Sequence, residues 1–198
     1  MQEQANVSLS AFELELVSNP EWILTKNRII QKVMQLLGAV NENLKYHPLV
    51  SQLPPEVHAF SPKISKGENY QGLPYVILDY PRLFSRDDVF AIRCFFWWGH
   101  YFTCTLHLKG KWKELYLPRV EAARKSGKLE QAYINRTGEE WAHQLDEVNW
   151  QLLQHLPGTI NEKDPLLKIA FRCNLSEWNE APRFLEEKVT SFLEMLLH

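Results

Sequence analysis

The sequence predicts a single α+β domain over residues 1–198, with a mainly antiparallel sheet of about four to five strands. Two β-rich runs on either side of Gly99 and His100 predict a central hairpin with strands 89–98 and 101–108. Amphipathic patterns with helix start signals predict a long N-terminal helix over 20–45 and a C-terminal helix over 182–197. The hairpin makes at least part of the sheet antiparallel, which favours α+β over a doubly wound fold.

The N-terminal helix has the clearest start signal in the chain. Asn19 is a good N-cap and Pro20 suits the first helical position. Apolar residues then recur at helical spacing, at Ile30, Val33, Leu37, Val40 and Leu44. Upstream, residues 8–17 are ambiguous, because Phe12, Leu14 and Leu16 alternate as in a strand. The spacing of Ser10 and Glu13 matches a capping box and favours a short helix there. Residues 46–74 are rich in Pro and Gly and are predicted to form a long irregular connection.

The register of the predicted hairpin depends on its turn. A two-residue turn at Gly99 and His100 sets Trp98 opposite Tyr101. Because side chains alternate along a strand, Cys94 and Cys104 then project to opposite faces of the sheet. Both faces are mostly apolar, so we expect helices to cover part of each.

Further elements are predicted on either side of the hairpin. On the predicted helix over 139–155, Trp141 is expected to face the core, which places His143 on the solvent side. The elements are a strand over 75–81, a helix over 119–126 opened by Pro118, a strand over 131–135, a helix over 139–155 and a strand over 166–175.

Composition excludes several classes of protein. With 22 Lys+Arg and 24 Asp+Glu the net charge is −2, which argues against a nucleic-acid partner. The N-terminus lacks a leader pattern and no apolar stretch is long enough to span a membrane, so a cytoplasmic protein without a membrane partner is expected. The three cysteines form no CxxC pair and are expected to be buried thiols. Neither a dinucleotide or phosphate-loop motif nor a metal-ligand motif is present, so no cofactor and no metal are expected.

Charged or polar residues interrupt four otherwise apolar strands: Asp79, Arg93, His107 and Arg172. A buried charge needs a partner, and the simplest arrangement pairs Asp79 with Arg93 or Arg172. Two interpretations remain open here. The pair is a structural ion pair, or it belongs to a polar cluster that binds or transforms a ligand.

Two segments provide candidate ligand-binding residues. The segment over 63–82 mixes Lys, Glu, Tyr and Arg with glycines, and the hairpin tip places adjacent tryptophans beside a histidine. The alternatives are an ordered connection for the first segment and core packing for the second. The candidates are Lys63, Glu68, Tyr70, Tyr75, Asp79, Arg82, Arg93, Trp98 and His100.

Three short runs within these segments resemble an uncharacterised family of bacterial proteins. They are Lys63-Ile-Ser65 followed by Gly67-Glu68-x-Tyr70-x-Gly72-Leu-Pro-Tyr75, then Leu78-Asp-Tyr-Pro-Arg82, and Phe96-Trp-Trp-Gly-His100. The resemblance extends over most of the chain. It implies a bacterial, cytoplasmic protein, and it transfers no activity and no catalytic residue because the family has none assigned.

The function predicted first is a non-enzymatic binding or interaction module, because no catalytic motif is present. Its partner is an unidentified small molecule or protein, which an aromatic edge at 97–101 and the segment 63–75 would contact. The alternative is an enzyme acting on a small polar or anionic molecule. In that enzyme Lys63, Arg82 or Arg93 would hold the anion, while proton transfer would fall to Glu68, Asp79 or His100.

Overall fold

Seven strands form one antiparallel sheet in the computed structural model, which describes residues 7–198. They are β1 (Lys63–Tyr70), β2 (Leu73–Phe84), β3 (Val89–Trp97), β4 (Tyr101–Lys109), β5 (Tyr133–Asn135), β6 (Trp150–Leu152) and β7 (Leu166–Asn174). Their order across the sheet is β1-β2-β3-β4-β7-β5-β6. The α+β class is confirmed. The expected four to five strands are too few, because β1 lies in the predicted irregular connection and β6 in a predicted helix.

Five helices accompany the sheet: α1 (Ala11–Ser18), α2 (Pro20–Lys45), α3 (Pro55–His58), α4 (Lys111–Lys125) and α5 (Ala181–Leu197). The predicted start signals are confirmed, because Ser10 and Glu13 form the capping box of α1 and the Asn19 side chain caps α2. The start predicted at Pro118 is wrong, since α4 begins seven residues earlier at Lys111 and contains Pro118 in its interior. No helix within residues 7–198 is both long and apolar enough to cross a membrane. The prediction that the N-terminus lacks a leader pattern also involves residues 1–6, which lie outside the described part of the chain.

Helices cover one face of the sheet and form the main core with it. The apolar stripes of α2, α4 and α5 form one buried cluster with the even-numbered side chains of β2, β3 and β4, including Leu78, Phe90, Ile92, Phe96, Leu106 and Leu108. Burial of these apolar side chains is the main favourable contribution to the stability of the fold. In contrast, α1 buries none of its residues.

The hairpin between β3 and β4 has a different register from the predicted one. Trp97, and not Trp98, lies opposite Tyr101, so the loop contains three residues. The His100 amide donates a hydrogen bond to the Trp97 carbonyl at 3.1 Å, and Gly99 has a φ of +74°. Three-residue hairpin loops commonly contain one such left-handed residue, which glycine adopts without a steric cost. The shift by one residue moves every β4 side chain to the opposite face.

The second face of the sheet is covered by irregular chain and not by a helix. Residues 136–149, which we call the strap, connect β5 to β6 and pass over this face. The predicted helix over 139–155 is therefore wrong, and so is the expectation that helices cover both faces. Six buried polar side chains lie beneath or beside the strap, namely Asp79, Arg93, Thr103, Thr105, His107 and Lys168.

The corrected register brings Cys94 and Cys104 directly opposite each other on the helix-covered face. Both thiols are buried and free, as is the thiol of Cys173. Burial raises the pKa of the Cys104 thiol well above its usual value, and only the thiolate reacts rapidly with disulfide reagents.

We expect a disulfide reagent such as dithionitrobenzoate to label none of the three thiols of the folded protein within minutes. All three should react once the same sample is unfolded in guanidinium chloride, which serves as the internal control. Rapid labelling under native conditions would contradict the burial of these residues.

Candidate ligand-binding groove

A buried ion pair joins the two central charged residues of the second face. Arg93 donates from Nε to Oδ1 of Asp79 at 2.7 Å and from Nη2 to Oδ2 at 3.0 Å. The two residues are 8% and 6% exposed, so both charges are removed from water and satisfied by each other. Of the two predicted partners for Asp79, Arg93 is confirmed. The alternative pairing of Asp79 with Arg172 is wrong, because the exposed side chain of Arg172 lies over the rings of Tyr101 and Tyr133 instead.

The remaining donor of Arg93 reaches the strap. Its Nη1 lies 2.9 Å from Nε2 of His143, and because a guanidinium always donates, Nε2 is the acceptor. Burial lowers the pKa of His143, and the positive charges of Lys168 and Arg93 lower it further. His143 is therefore a neutral, half-buried residue in contact with the sheet, and the prediction that it faces solvent is wrong because no helix forms around it.

An open groove surrounds Arg93 and consists of two adjoining clefts. Both clefts share Ile77, Arg93 and Trp141 in their walls. The first encloses about 260 Å³ and is completed by Tyr70, Tyr75, Phe95 and His143. The second encloses about 220 Å³ and is completed by Lys63, Ser65, Asp79, Arg82 and Phe84. We call them the aromatic cleft and the basic cleft of the groove.

The basic cleft contains two cations without a carboxylate partner. Arg82 donates from Nε to the Ser61 carbonyl at 2.9 Å, and its guanidinium lies 5.8 Å from the centre of the Phe60 ring. Within residues 7–198, neither Arg82 nor Lys63 forms an ion pair. The carboxylate of Asp79 is also present, but Arg93 occupies both of its oxygens. The basic cleft thus has an excess of positive charge.

The aromatic cleft is shaped by rings packed edge to face. The Tyr70 ring meets the Phe95 ring at a centroid distance of 5.6 Å, and its hydroxyl accepts a hydrogen bond from the His143 amide at 2.7 Å. The ring of Tyr75 lies against the backbone of Gly67 on the neighbouring strand. A Cβ atom on Gly67 would come within 2.4 Å of that ring, so glycine is needed for this approach.

Six of the nine candidate residues line the groove: Lys63, Tyr70, Tyr75, Asp79, Arg82 and Arg93. The other three do not. Glu68 forms an exposed ion pair with Lys26 of α2 at 2.8 Å, and Trp98 packs against the helix-side core. His100 is exposed and stacks on Trp97 at 3.6 Å. Trp97 itself is only 4% exposed, so the predicted aromatic edge is mainly core.

A second polar cluster on the same face was only partly anticipated. Lys168 is 1% exposed, and its Nζ donates to the carbonyls of Glu140 and Ala142 on the strap, both at 2.8 Å. The Glu140 carboxylate accepts a hydrogen bond from Lys109 at 2.9 Å and lies 3.6 Å from Nε2 of His107. His107 is one of the polar residues that the sequence places in an otherwise apolar strand. Lys168 is a further polar residue in an apolar strand, and this pattern is the sequence signal that would have identified it.

A larger cavity of about 600 Å³ lies between α4 and residues 159–162. Its lining contains three glutamates and two lysines, so it has no excess of positive charge. The buried Lys113 ammonium donates to the carbonyls of Asn161 and Glu162 at 2.8 and 3.0 Å, and Glu121 forms an ion pair with Arg124 at 3.0 Å. The groove around Arg93 is the better candidate site because Lys63 and Arg82 leave it with an excess of positive charge.

Within residues 7–198, no group of three or more His, Cys, Asp or Glu side chains is arranged to hold a metal ion. No protein-family model, curated protein or solved structure matches this chain. The resemblance to a bacterial family therefore stays a prediction, and the geometry of the groove is the main indication of function.

Proposed function

We propose that this chain is a binding module for a small molecule that carries an anionic group next to a flat, apolar part. The observation that carries the proposal is the pairing of a basic cleft, with Lys63 and Arg82 unneutralised, with an adjoining cleft lined by aromatic rings. Small-molecule sites typically combine mostly apolar walls with a few polar groups that fix orientation.

The anionic group is inferred from the donors that remain free in the basic cleft. Arg82 uses its Nε for Ser61, which leaves the two terminal nitrogens of its guanidinium for a ligand. A planar guanidinium suits the oxygen pairs of a carboxylate or phosphate, and Lys63 adds a second positive charge. This excess is local, since the chain as a whole has a net charge of −2.

The flat part is inferred from the position of Trp141. This residue is 53% exposed, yet it lines both clefts, and the rings of Tyr70, Tyr75 and Phe95 face the aromatic cleft beside it. An aromatic ligand placed there would gain edge-to-face or offset-stacked contacts with these rings. A ligand bound at both ends would therefore span from Arg82 to the aromatic cleft, passing Arg93.

The enzymatic alternative has less support from the same geometry. General acid or base chemistry requires a group that is free to exchange a proton with the substrate. Both Asp79 oxygens accept hydrogen bonds from Arg93, and the Nε2 lone pair of His143 also accepts one from Arg93. Glu68 and His100, the other proposed proton-transfer residues, lie outside the groove.

Titration with phenyl phosphate, followed by tryptophan fluorescence and thermal melting, tests the proposal. At 100 times its Kd, such a ligand stabilises the folded state by about 2.7 kcal/mol, which for a chain of this size corresponds to roughly 5–10 °C in Tm. Inorganic phosphate should bind more weakly, because it lacks the ring. The double variant Lys63→Gln/Arg82→Gln should lose the stabilisation.

Lys66→Gln is the matched control, because Lys66 is on the same strand as Lys63 but projects to the opposite face. It should retain the full shift in Tm. An equal shift in the double variant and in the wild type would show that the ligand binds elsewhere and would exclude the basic cleft as the site.

A further inference from the structure

Side chains of the sheet hold the strap in place, and backbone pairing holds it only at its ends. The amide of Arg136 donates to the Asn149 carbonyl at 2.8 Å where the strap begins and ends. Between these ends, the Tyr101 hydroxyl accepts a hydrogen bond from the Leu145 amide at 2.6 Å, and Lys168 binds the carbonyls of Glu140 and Ala142. The strap can therefore leave the sheet without breaking any strand pairing.

One strap residue places a carboxylate among the basic side chains of the sheet. Glu140 forms an ion pair with Lys109 at 2.9 Å, and its other oxygen is 3.6 Å from Nε2 of His107. Lys109 and His107 belong to β4, and Lys168 lies opposite His107 on β7. Burial, followed by the charges of Lys168, Arg93 and Lys109, lowers the pKa of His107 and keeps its imidazole neutral. The two lysines and the neutral His107 thus form one patch on the sheet, and the strap supplies the negative charge.

The strap leaves one buried polar atom of this patch without a hydrogen-bond partner. His107 is 3% exposed, and its Nε2 has no hydrogen-bond partner among the described residues. A buried nitrogen without a partner is unfavourable, and few such groups occur in folded proteins. The distance of 3.6 Å to Glu140 is too long for a hydrogen bond. An oxyanion seated closer to the sheet would satisfy His107, which Glu140 does not.

We propose that Lys109, His107 and Lys168 form an oxyanion-binding site, which Glu140 occupies as an internal ligand until an oxyanion from solution displaces it. When the strap leaves, Lys168 loses both carbonyl acceptors, so its Nζ becomes free to bind the incoming oxyanion. The site shares neither Lys63 nor Arg82 with the groove, but departure of the strap would also remove Trp141 and His143 from the wall of the aromatic cleft.

Competition with the strap sets the apparent affinity of this site. Only the fraction of molecules in which Glu140 has left the site binds the oxyanion, and the apparent Kd is the intrinsic Kd divided by that fraction. Removing the charge of Glu140 while keeping the shape of its side chain should raise this fraction. We expect Glu140→Gln to bind inorganic phosphate at least about tenfold more tightly than the wild type.

Isothermal titration with inorganic phosphate tests this expectation, with all variants built on Lys63→Gln/Arg82→Gln so that the groove cations do not contribute. Glu139→Gln is the matched control, since Glu139 is exposed and adjacent on the strap. It should leave the affinity unchanged. Adding Lys109→Gln to Glu140→Gln should abolish the gain, while thermal melting verifies that each variant is folded.

Hydrogen exchange of the strap supplies the second readout. Phosphate should speed exchange of the Leu145 amide, which donates to the Tyr101 hydroxyl in the closed strap. An affinity of Glu140→Gln within twofold of the wild type would overturn the proposal. So would a gain that persists after Lys109→Gln. Neither result bears on phenyl phosphate binding by Lys63 and Arg82, so the two proposals fail separately.

Discussion

Replacing Asp79 with alanine should lower the free energy of unfolding by about 3–5 kcal/mol, which corresponds to a Tm lower by roughly 10 °C for a chain of this size. Arg93 would keep its buried positive charge but lose the carboxylate that accepts two of its hydrogen bonds. Removing one member of a buried ion pair is costly because the other charge is left uncompensated in a poorly polarisable environment.

Thermal and urea unfolding measure this effect, and Glu68→Ala provides the matched control. Glu68 forms an ion pair of similar length with Lys26, but its side chain is largely exposed to solvent. Exposed pairs contribute less than about 1 kcal/mol, so this variant should melt close to the wild type. An unchanged Tm for Asp79→Ala would exclude a structural role for the Asp79–Arg93 pair and leave a ligand-binding role as its explanation.

Raising the pH from 7 to 8.5 should increase the contribution of Lys168 to stability. Burial, followed by the charge of Arg93, lowers the pKa of Lys168 from 10.5 to about 7 in the folded state. The unfolded chain keeps its proton throughout this range, whereas the folded chain releases it. Since the unfolded state binds more protons, the free energy of unfolding rises with pH, by up to about 1.4 kcal/mol per pH unit for one proton.

Urea unfolding at half-unit steps of pH, compared between the wild type and Lys168→Met, isolates this contribution. The variant should lack the additional positive slope. Lys32→Met, on the exposed side of α2, should keep it. The range stops at pH 8.5, because burial raises the pKa of Cys104, Tyr70 and Tyr101, which contribute a negative slope at higher pH. Equal slopes in Lys168→Met and the wild type would contradict an amine whose pKa lies near 7 in the folded protein.

Local patterns predicted the elements whose residues interact with close neighbours in the chain. The cap at Asn19, the apolar stripe of α2 and the helix α5 depend on contacts within a few residues, and all are observed. The pairing of Asp79 with Arg93 was also foreseen, because a charge inside an apolar strand requires a partner. Arg172 is too far from Asp79 across the sheet, since β3 and β4 lie between β2 and β7.

The rest of the site depends on two features that local patterns do not determine. A hairpin with Gly99 at its tip is compatible with two or three loop residues, and the choice decides whether His107 shares a face with Arg93. The strap resembles an amphipathic helix because Trp141, Leu145 and Val148 have helical spacing. Its actual conformation is fixed by Tyr70, Tyr101 and Lys168, which are distant in the sequence.

The order of the strands also bears on how this chain avoids aggregation. The outermost strands, β1 and β6, are the ones whose unpaired backbone groups would accept a strand from another molecule. β1 carries Lys63 and Lys66 and an irregular register between Gly67 and Tyr70, while β6 has only three residues. Charge, irregularity and shortness all disfavour such pairing. The long apolar strands β3 and β4 lie inside the sheet, so their tendency to form intermolecular β-structure is exposed only when the chain unfolds.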